Sequence, residues 1–414
     1  MNEQIKQRIN QLNNGEVPIG YEKTEIGTFP VGWKTTTLDK LLEFKNGVNA
    51  DKEKYNSGVK MISVMDILTD SPIYYDKIKG QVDIDEKTLD TYSVTYGDIL
   101  FQRSSETFED AGKSNVYLDK DRTATYSGFV IRGKKKADYN PYFLNEALRI
   151  GQVRNQIIRN AAGSQHINVG QDSLAKIIVP LASDVEQSNI AEILMKWDEA
   201  IELQEEFLHT LEIKRMAILQ SFFSKEKCSN WIKLSDYVKE VSNRNNIGCQ
   251  NVKSVSNKNG FIDQSSQFSK QVASEDVSKY KVVTKDCVAY NPSRINVGSI
   301  AIYNEDTPGI VSPMYVVFKC VNMDPRFLLL LLETARGKYE VKSYLSGSVR
   351  DSLAFEDLKS IEIAVPPKEK WGEIVDILNI IDAQHSLYNY KLSFLKRQRK
   401  ALQQYLLNGI VRVK

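Results

Sequence analysis

Apolar residues recur at alternating intervals of four and three along two stretches of the chain. The first runs Ile190, Leu194, Trp197, Ile201, Gln204, Leu208, Leu211, Arg215, Ile218, Phe222. The second runs Ile374, Leu378, Ile381, His385, Tyr388, Leu392, Leu395, Arg399, Leu402, Leu406. Eight of the ten positions in each are apolar or aromatic. A period of 3.5 sustained this long predicts two helices with a coiled-coil seam, each about 50 Å long at 1.5 Å per residue.

Elsewhere short β-rich runs alternate with turn residues. Strands are predicted at 59–64, 98–101, 129–131, 282–283, 299–303 and 315–318, from β-branched and aromatic residues bounded by turn formers. Short helices are expected over 38–44 and 234–241, and near the end of each strand-rich region, where Pro141 and Pro325 suit a first helical turn. The pattern predicts an α+β fold: two α/β globular units in a pseudo-two-fold arrangement, separated by two long antiparallel coiled-coil helices.

The two halves match each other. An offset of 184 residues lays Ile190, Leu194, Asp198, Leu208, Leu211, Arg215 and Ala217 on Ile374, Leu378, Asp382, Leu392, Leu395, Arg399 and Ala401. Upstream the match is looser but ordered. Asn140, Pro141 and Phe143 fall on Asp324, Pro325 and Phe327, and the run 112–117 resembles 298–303. Gly163 and Ser164 precede Val179-Pro180 as Gly347 and Ser348 precede Val365-Pro366, and Gly32-Trp33-Lys34 resembles Asn230-Trp231-Ile232. Such a series marks an internal duplication. It divides the chain into a lead-in with an N-terminal helix (1–30), a first globular unit (31–182), a first long helix (183–228), a second globular unit (229–366) and a second long helix (367–414).

Charge sets the direction of pairing. Nine acidic residues and one basic residue, Lys196, lie between Asp184 and Glu212, whereas 391–400 holds five basic residues and no acidic one. Antiparallel packing sets the acidic start of one helix beside the basic end of the other. Parallel packing would set it beside Glu369, Glu373, Asp376 and Asp382. Each such pair is worth tenths of a kcal/mol, but several together select an orientation.

Net charge is only +2 over 414 residues, so the total favours no particular partner. The longest obvious apolar block, 327–332, is far short of the 18 or so residues that read as a membrane-helix candidate, and the polar first fourteen residues argue against a secretory signal. Cys228, Cys249, Cys287 and Cys320 are widely spaced, which suits free thiols in a reducing cytoplasm.

The chain resembles the specificity subunits of bacterial type I restriction-modification systems. The resemblance rests on the lead-in from Gly20 through Tyr21, Glu22 and Lys23 to Gly27, with Pro30 and Trp33 after it. It continues through Gly163, Ser164 and Gln165, then Leu174, Val179-Pro180, Glu186-Gln187 and Ile190 to Leu194 and Asp198. It covers essentially the whole chain. The second copy departs from it, with Lys370-Trp371 roughly where Glu186-Gln187 stands. The resemblance implies that each globular unit is a target-recognition domain reading one half of a bipartite, asymmetric double-stranded DNA site. It implies helices that set the spacing and dock two methyltransferase subunits, with a restriction motor-nuclease joining the complex. No cofactor is expected on this chain; S-adenosylmethionine, ATP and magnesium belong to the partners. Cytoplasmic location is expected, with no membrane partner.

Under that resemblance, polar loop residues become candidate DNA contacts. Gln102, Arg103, Ser104 and Ser105 follow a predicted strand in the first unit, and Asn291, Ser293, Arg294 and Asn296 hold the comparable place in the second. Arginine can bond guanine and amide side chains adenine; the alternative is a solvated turn. Ser164, Gln165 and His166, with Ser348 and Arg350, follow glycines that let backbone approach phosphate, though Gly163 and Gly347 would equally suit helix C-caps. Lys45, Asn46 and Asn49, and Arg244, Asn245 and Asn246, follow the short expected helices and could be plain exposed turns. Lys113 completes the set. Arg149, Arg154 and Arg159, and Arg336, Lys338 and Lys342, could hold phosphates or form a solvated helix face. Arg215 and Arg399 sit in the seams, where a paired polar residue fixes register. His209 lies off the seam, as a surface residue would.

Catalytic signatures fail on inspection. Three histidines, His166, His209 and His385, do not cluster, and no metal-spaced Cys/His set appears. Gly112-Lys113-Ser114 ends like a phosphate-binding loop, but Thr107 stands where that loop needs glycine. The run 291–294 lacks the second proline and the aromatic of an adenine methyltransferase motif. A non-catalytic DNA-reading subunit is the reading; a coiled-coil adaptor without sequence preference and a degenerate DNA adenine methyltransferase are the alternatives.

Overall fold

The computed structural model describes residues 3–257, 260–264, 276–345 and 352–413. It falls into two compact units, Met1–Gln204 with Lys391–Lys414, and Glu205–Tyr390. The division runs through both long helices, so each unit holds one globular region and a segment of each helix.

In unit one, strands β1 (Leu42–Asn46), β2 (Ile99–Gln102), β3 (Ser114–Val116) and β4 (Val130–Lys135) form an antiparallel sheet in the order β1-β4-β2-β3. Both faces are covered, so the fully buried β2 alternates between two cores. Ile99 and Phe101 pack with Phe143 and Leu144 of the helix Pro141–Ala147, while Leu100 joins Ile62, Ile73 and Tyr126 on the other face. Pro141 occupies that helix's first turn, and the Asn140 side chain caps it by accepting the Phe143 N–H. Strands Lys34–Thr37 and Ile178–Leu181 pair antiparallel and close the region.

Unit two repeats this plan. Strands β5 (Val238–Glu240), β6 (Cys287–Tyr290), β7 (Ile300–Ile302) and β8 (Val316–Cys320) take the order β5-β8-β6-β7, again antiparallel. Val288 and Tyr290 pack with Phe327 and Leu328 of Pro325–Glu333, and Cys287 and Ala289 face the opposite cluster. Asp324 caps this helix through the Arg326 N–H. Asn230–Lys233 and Glu362–Val365 pair as the closing strands.

The long helices span Asp184–Phe222 and Trp371–Leu407. None of the seam positions on either is exposed. Within unit one Asp198 meets Arg399 and Glu186 meets Arg412. Within unit two Arg215 meets Asp382, and the Phe207 and Tyr388 rings lie 4.7 Å apart. Rising number along the first helix meets falling number along the second in both units, Arg412 lying just past the second helix's end, so the segments run antiparallel, as the charge pattern predicts.

Two expectations are corrected. The helix over 38–44 is a single turn, Leu38–Leu41, and the chain then extends into β1; over 234–241 a 3-10 turn, Leu234–Asp236, gives way to β5. Leu38 and Leu41 pack inward at helical spacing, but the residues after Leu41 pair with β4, as those after Tyr237 pair with β8, and that pairing overrides local preference. Trp231 is also not the counterpart of Trp33. Lys34 pairs with Leu181 and Asn230 with Val365, so the register sets Asn230 over Lys34 and leaves Trp231 67% exposed. The equivalent indole is Trp371. Trp33 meets Phe143 edge-on at 6.3 Å, and Trp371 stacks on Phe327 at 4.5 Å. Trp371 occupies the place of Gln187 and repeats its bond: Gln187 Nε2 donates to the Ala182 carbonyl at 2.8 Å, and Trp371 Nε1 to that of Pro366 at 2.9 Å.

Candidate nucleic-acid interface

In unit one, three of the predicted sets meet at one end of the sheet. The register sets Asn46 opposite Ile131 and Gln102 opposite Val130, so β1 and β2 end where β4 begins. Past β2, Ser104–Ser105 pairs with Ile167–Asn168, which draws the loop carrying Ser164, Gln165 and His166 alongside. Arg103 is held from both sides: its N–H donates to the Phe129 carbonyl at 3.0 Å, and its carbonyl accepts from Val169 at 3.0 Å. Asn49, Ser164, Gln165 and His166 are exposed on this rim.

Several of these side chains are committed to the fold. Gln102 is 6% exposed and its Nε2 donates to the Ser104 carbonyl at 2.8 Å; Ser105 is 5% exposed and donates to the Thr107 carbonyl at 2.7 Å. Both lie beneath the surface and shape the loop, a correction to their expected contact role. Ser104 bonds the Asn168 side chain. The Lys45 ammonium lies over the Tyr92 ring at 4.6 Å. Lys113 pairs with Asp110 at 2.6 Å and lines a cleft of about 310 Å³ with Arg149 and Arg154. Arg154 donates to the carbonyls of Glu109, Ala111 and Gly112, and Arg149 pairs with Glu146 at 3.1 Å. These two arginines hold the 109–114 loop, while Arg159 stays exposed. Gly163 is not a helix cap, because the helix Gly151–Arg159 ends at Asn160. Its φ of 141° and a Cβ that would lie 2.0 Å from the His166 carbonyl oxygen admit only glycine in this turn.

Unit two places its candidates similarly. Asn291 directly follows β6, and its Oδ1 accepts from the Ser293 N–H at 3.1 Å, which folds back the loop bearing exposed Ser293, Arg294 and Asn296. Leu353 donates to the Pro292 carbonyl at 3.0 Å, the counterpart of the Val169–Arg103 bond. Arg244 and Asn246 are exposed, but Asn245 is 5% exposed and bonds both the N–H and the carbonyl of Cys249. It builds that turn, a further correction. Arg336 pairs with Glu340 one turn along its own helix. Ser348 and Arg350 lie outside the described residues.

Sequence reasoning missed two exposed apolar residues at these rims, Phe129 at 67% and Met314 at 59%. Each directly precedes an apolar run, so periodicity absorbs Phe129 into a strand and passes over Met314.

The seam arginines are paired. Arg399 meets Asp198 at 2.7 Å and Glu146 at 2.8 Å; Arg215 meets Asp382 and Glu333. His209 is exposed. Glu186 accepts from Arg412 at 2.6 Å and from the Trp33 indole at 2.9 Å. Burial opposes its charge, but Arg412 and Trp33 outweigh it and hold the carboxyl below its ordinary pKa. Among the described residues no cluster of three or more metal-ligating side chains occurs, and no helix is long and apolar enough to cross a membrane.

The family model described as Type I restriction modification DNA specificity domain matches twice, over residues 30–212 and 236–397. A protein of Methanocaldococcus jannaschii, described as the MjaX specificity subunit of a type I restriction enzyme, is 26% identical over 431 residues, covering 95% of this chain and 97% of that one. The S subunit of a type I restriction-modification system from M. genitalium superposes with a TM-score of 0.56 at 16% identity, over 90% of this chain and 96% of that one. A chain from work on complex assembly and conformational transition of the type I R-M system gives 0.54 at 14% identity, over 92% and 99%.

Proposed function

This chain belongs to the type I restriction modification DNA specificity family, and from that premise we propose that it reads a bipartite DNA site, one half with each of its two sheet-based regions. The observation that carries the proposal is the repeated rim: two unlike sets of loop residues, each displayed at the equivalent end of its own unit's sheet. Recognition loops that diverge on a common framework are what two different half-sites require. The reading segments are 31–182 and 229–366, and the helical segments 183–228 and 367–414 set the spacing between half-sites.

The helices also dock two methyltransferase subunits in this proposal. Apolar residues exposed on them support it: Met195, Leu203 and Phe394 in unit one, and Ile213, Ile380 and Leu387 in unit two. The chain itself is non-catalytic. S-adenosylmethionine, ATP and magnesium reside on the methyltransferase and motor-nuclease partners.

The test is selection from randomised duplex DNA by the full chain with its methyltransferase partner. A two-part preference with a strict gap is expected. No preference would favour a coiled-coil adaptor, and methyl transfer to DNA by this chain alone would refute the non-catalytic reading.

A further inference from the structure

The strand at the centre of each sheet is entered through a four-residue turn, and the two turns are equivalent. In unit one the Val130 N–H closes Ser127–Gly128–Phe129–Val130 on the Ser127 carbonyl at 2.9 Å; in unit two the Tyr315 N–H closes Ser312–Pro313–Met314–Tyr315 on the Ser312 carbonyl at 3.0 Å. The registers agree. Ile99 pairs with Gly133 and Val288 with Phe318, which carries Phe129 onto Met314. Neither third position has a positive φ, so the turn itself leaves the choice of residue there open. Here both hold a large apolar side chain turned to solvent, Phe129 at 67% and Met314 at 59% exposure.

Single exposed apolar residues are ordinary on protein surfaces. Recurrence at one turn position in two halves whose loops have otherwise diverged is not. Each turn is also braced by a cation. Arg103 Nη1 donates to the Gly128 carbonyl at 3.4 Å, and Lys281 Nζ to the Tyr315 carbonyl at 2.7 Å. In unit one the Asn49 side chain lies over Gly128, where a Cβ would come within 1.8 Å of its Oδ1. The apolar tip is therefore held on a rigid turn, next to positive charge that suits a phosphate backbone.

We infer that Phe129 and Met314 are specificity-determining residues, each making an apolar contact with the bases of its own half-site. The inference rests on the proposed reading of DNA and deepens it. The contact is one that hydrogen bonds do not make. A thymine methyl group in the major groove takes it directly, and an opened base step takes an apolar wedge.

The experiment repeats the selection with Phe129→Ser, Met314→Ser and Phe129→Leu in the full chain with its methyltransferase partner. Both positions are exposed, so thermal melting should match wild type. Phe129→Ser is expected to lose about tenfold selectivity at base pairs of one half-site only. Met314→Ser should do so at the other half, and Phe129→Leu should keep most of the preference. Two probes then identify the mode. Thymine-to-uracil replacement weakens wild-type binding if a methyl group is touched, and 2-aminopurine brightens if a step is opened; a response from either supports the contact. Wild-type selectivity in both serine variants would overturn the inference while leaving the two-part reading standing. A uniform loss on all DNA would also overturn it. A wild-type chain that selects no site would instead remove the reading beneath it.

Discussion

Arg399 on the second long helix grips Asp198 on the first through two hydrogen bonds, Nε to Oδ1 at 2.7 Å and Nη2 to Oδ2 at 3.1 Å. The offset of 184 that relates the two halves carries Asp198 onto Asp382 and Arg215 onto Arg399, and Arg215 grips Asp382 in the same way. One polar contact thus recurs in each seam, where an apolar residue in its place would leave neighbouring heptads free to slip.

The two contacts differ in burial, and their removal should differ accordingly. Arg399 also serves Glu146, which is 1% exposed. Arg399→Ala leaves that carboxylate with Arg149 and Gln403 alone and is expected to cost about 2–3 kcal/mol. The partners of Arg215 are 33% and 46% exposed, so Arg215→Ala should cost about 1 kcal/mol, since water screens what remains. Urea unfolding of the full chain gives both values. Equal costs would mean that burial does not rank the two.

The tryptophans test the register. Trp371 is 6% exposed and stacked on Phe327, so Trp371→Ala should lose about 3–5 kcal/mol. Trp231, largely exposed, should lose less than about 0.5 kcal/mol on the same change. The pairing suggested by sequence alone, with Trp231 in the role of Trp33, requires the reverse order.

Glu186 links stability to acid. Its pKa is depressed in the folded chain, so its contribution is fully present above the ordinary glutamate value of about 4.3 and is lost as pH falls through the folded value. Wild type should melt above Glu186→Gln at pH 7, and the gap should close under acid. A gap that stays constant down to pH 3 would show that the Arg412 and Trp33 bonds do not depend on the charge.

What was legible in the sequence follows from what repeats. The seams stand out because a period of 3.5 over many turns has no rival reading, and charge gave their direction because it is concentrated at opposite ends. Pro141 and Pro325 marked helix starts through their chemistry alone. Recognition loops are less legible. Asn245 and Gln102 are residue types that read bases, yet nearby backbone groups claim their amides first. Phe129 carries no polar signal, and only the turn geometry shows that it leaves the strand. Trp33 and Trp371 fill matching core positions from different ends of their regions, which no fixed offset can reveal.

The proposed spacing role makes a quantitative demand on the helices. A deletion must preserve both arginine contacts, so it must remove a whole heptad from each helix, between the contacts: 201–207 from the first and 390–396 from the second. The first segment lies between Asp198 and Arg215 on its helix, and the second between Asp382 and Arg399 on the other. Seven residues at 1.5 Å each shorten the spacer by about 10 Å, or about three base pairs at 3.4 Å per step. Selection from randomised duplexes should then return the same two half-sites with a gap about three base pairs shorter, because a free pool lets whichever spacing fits be recovered. The half-sites themselves should not change, since the deletion leaves both sheets and their loops intact. Recovery of the original gap by the shortened chain would show that the helices do not set it.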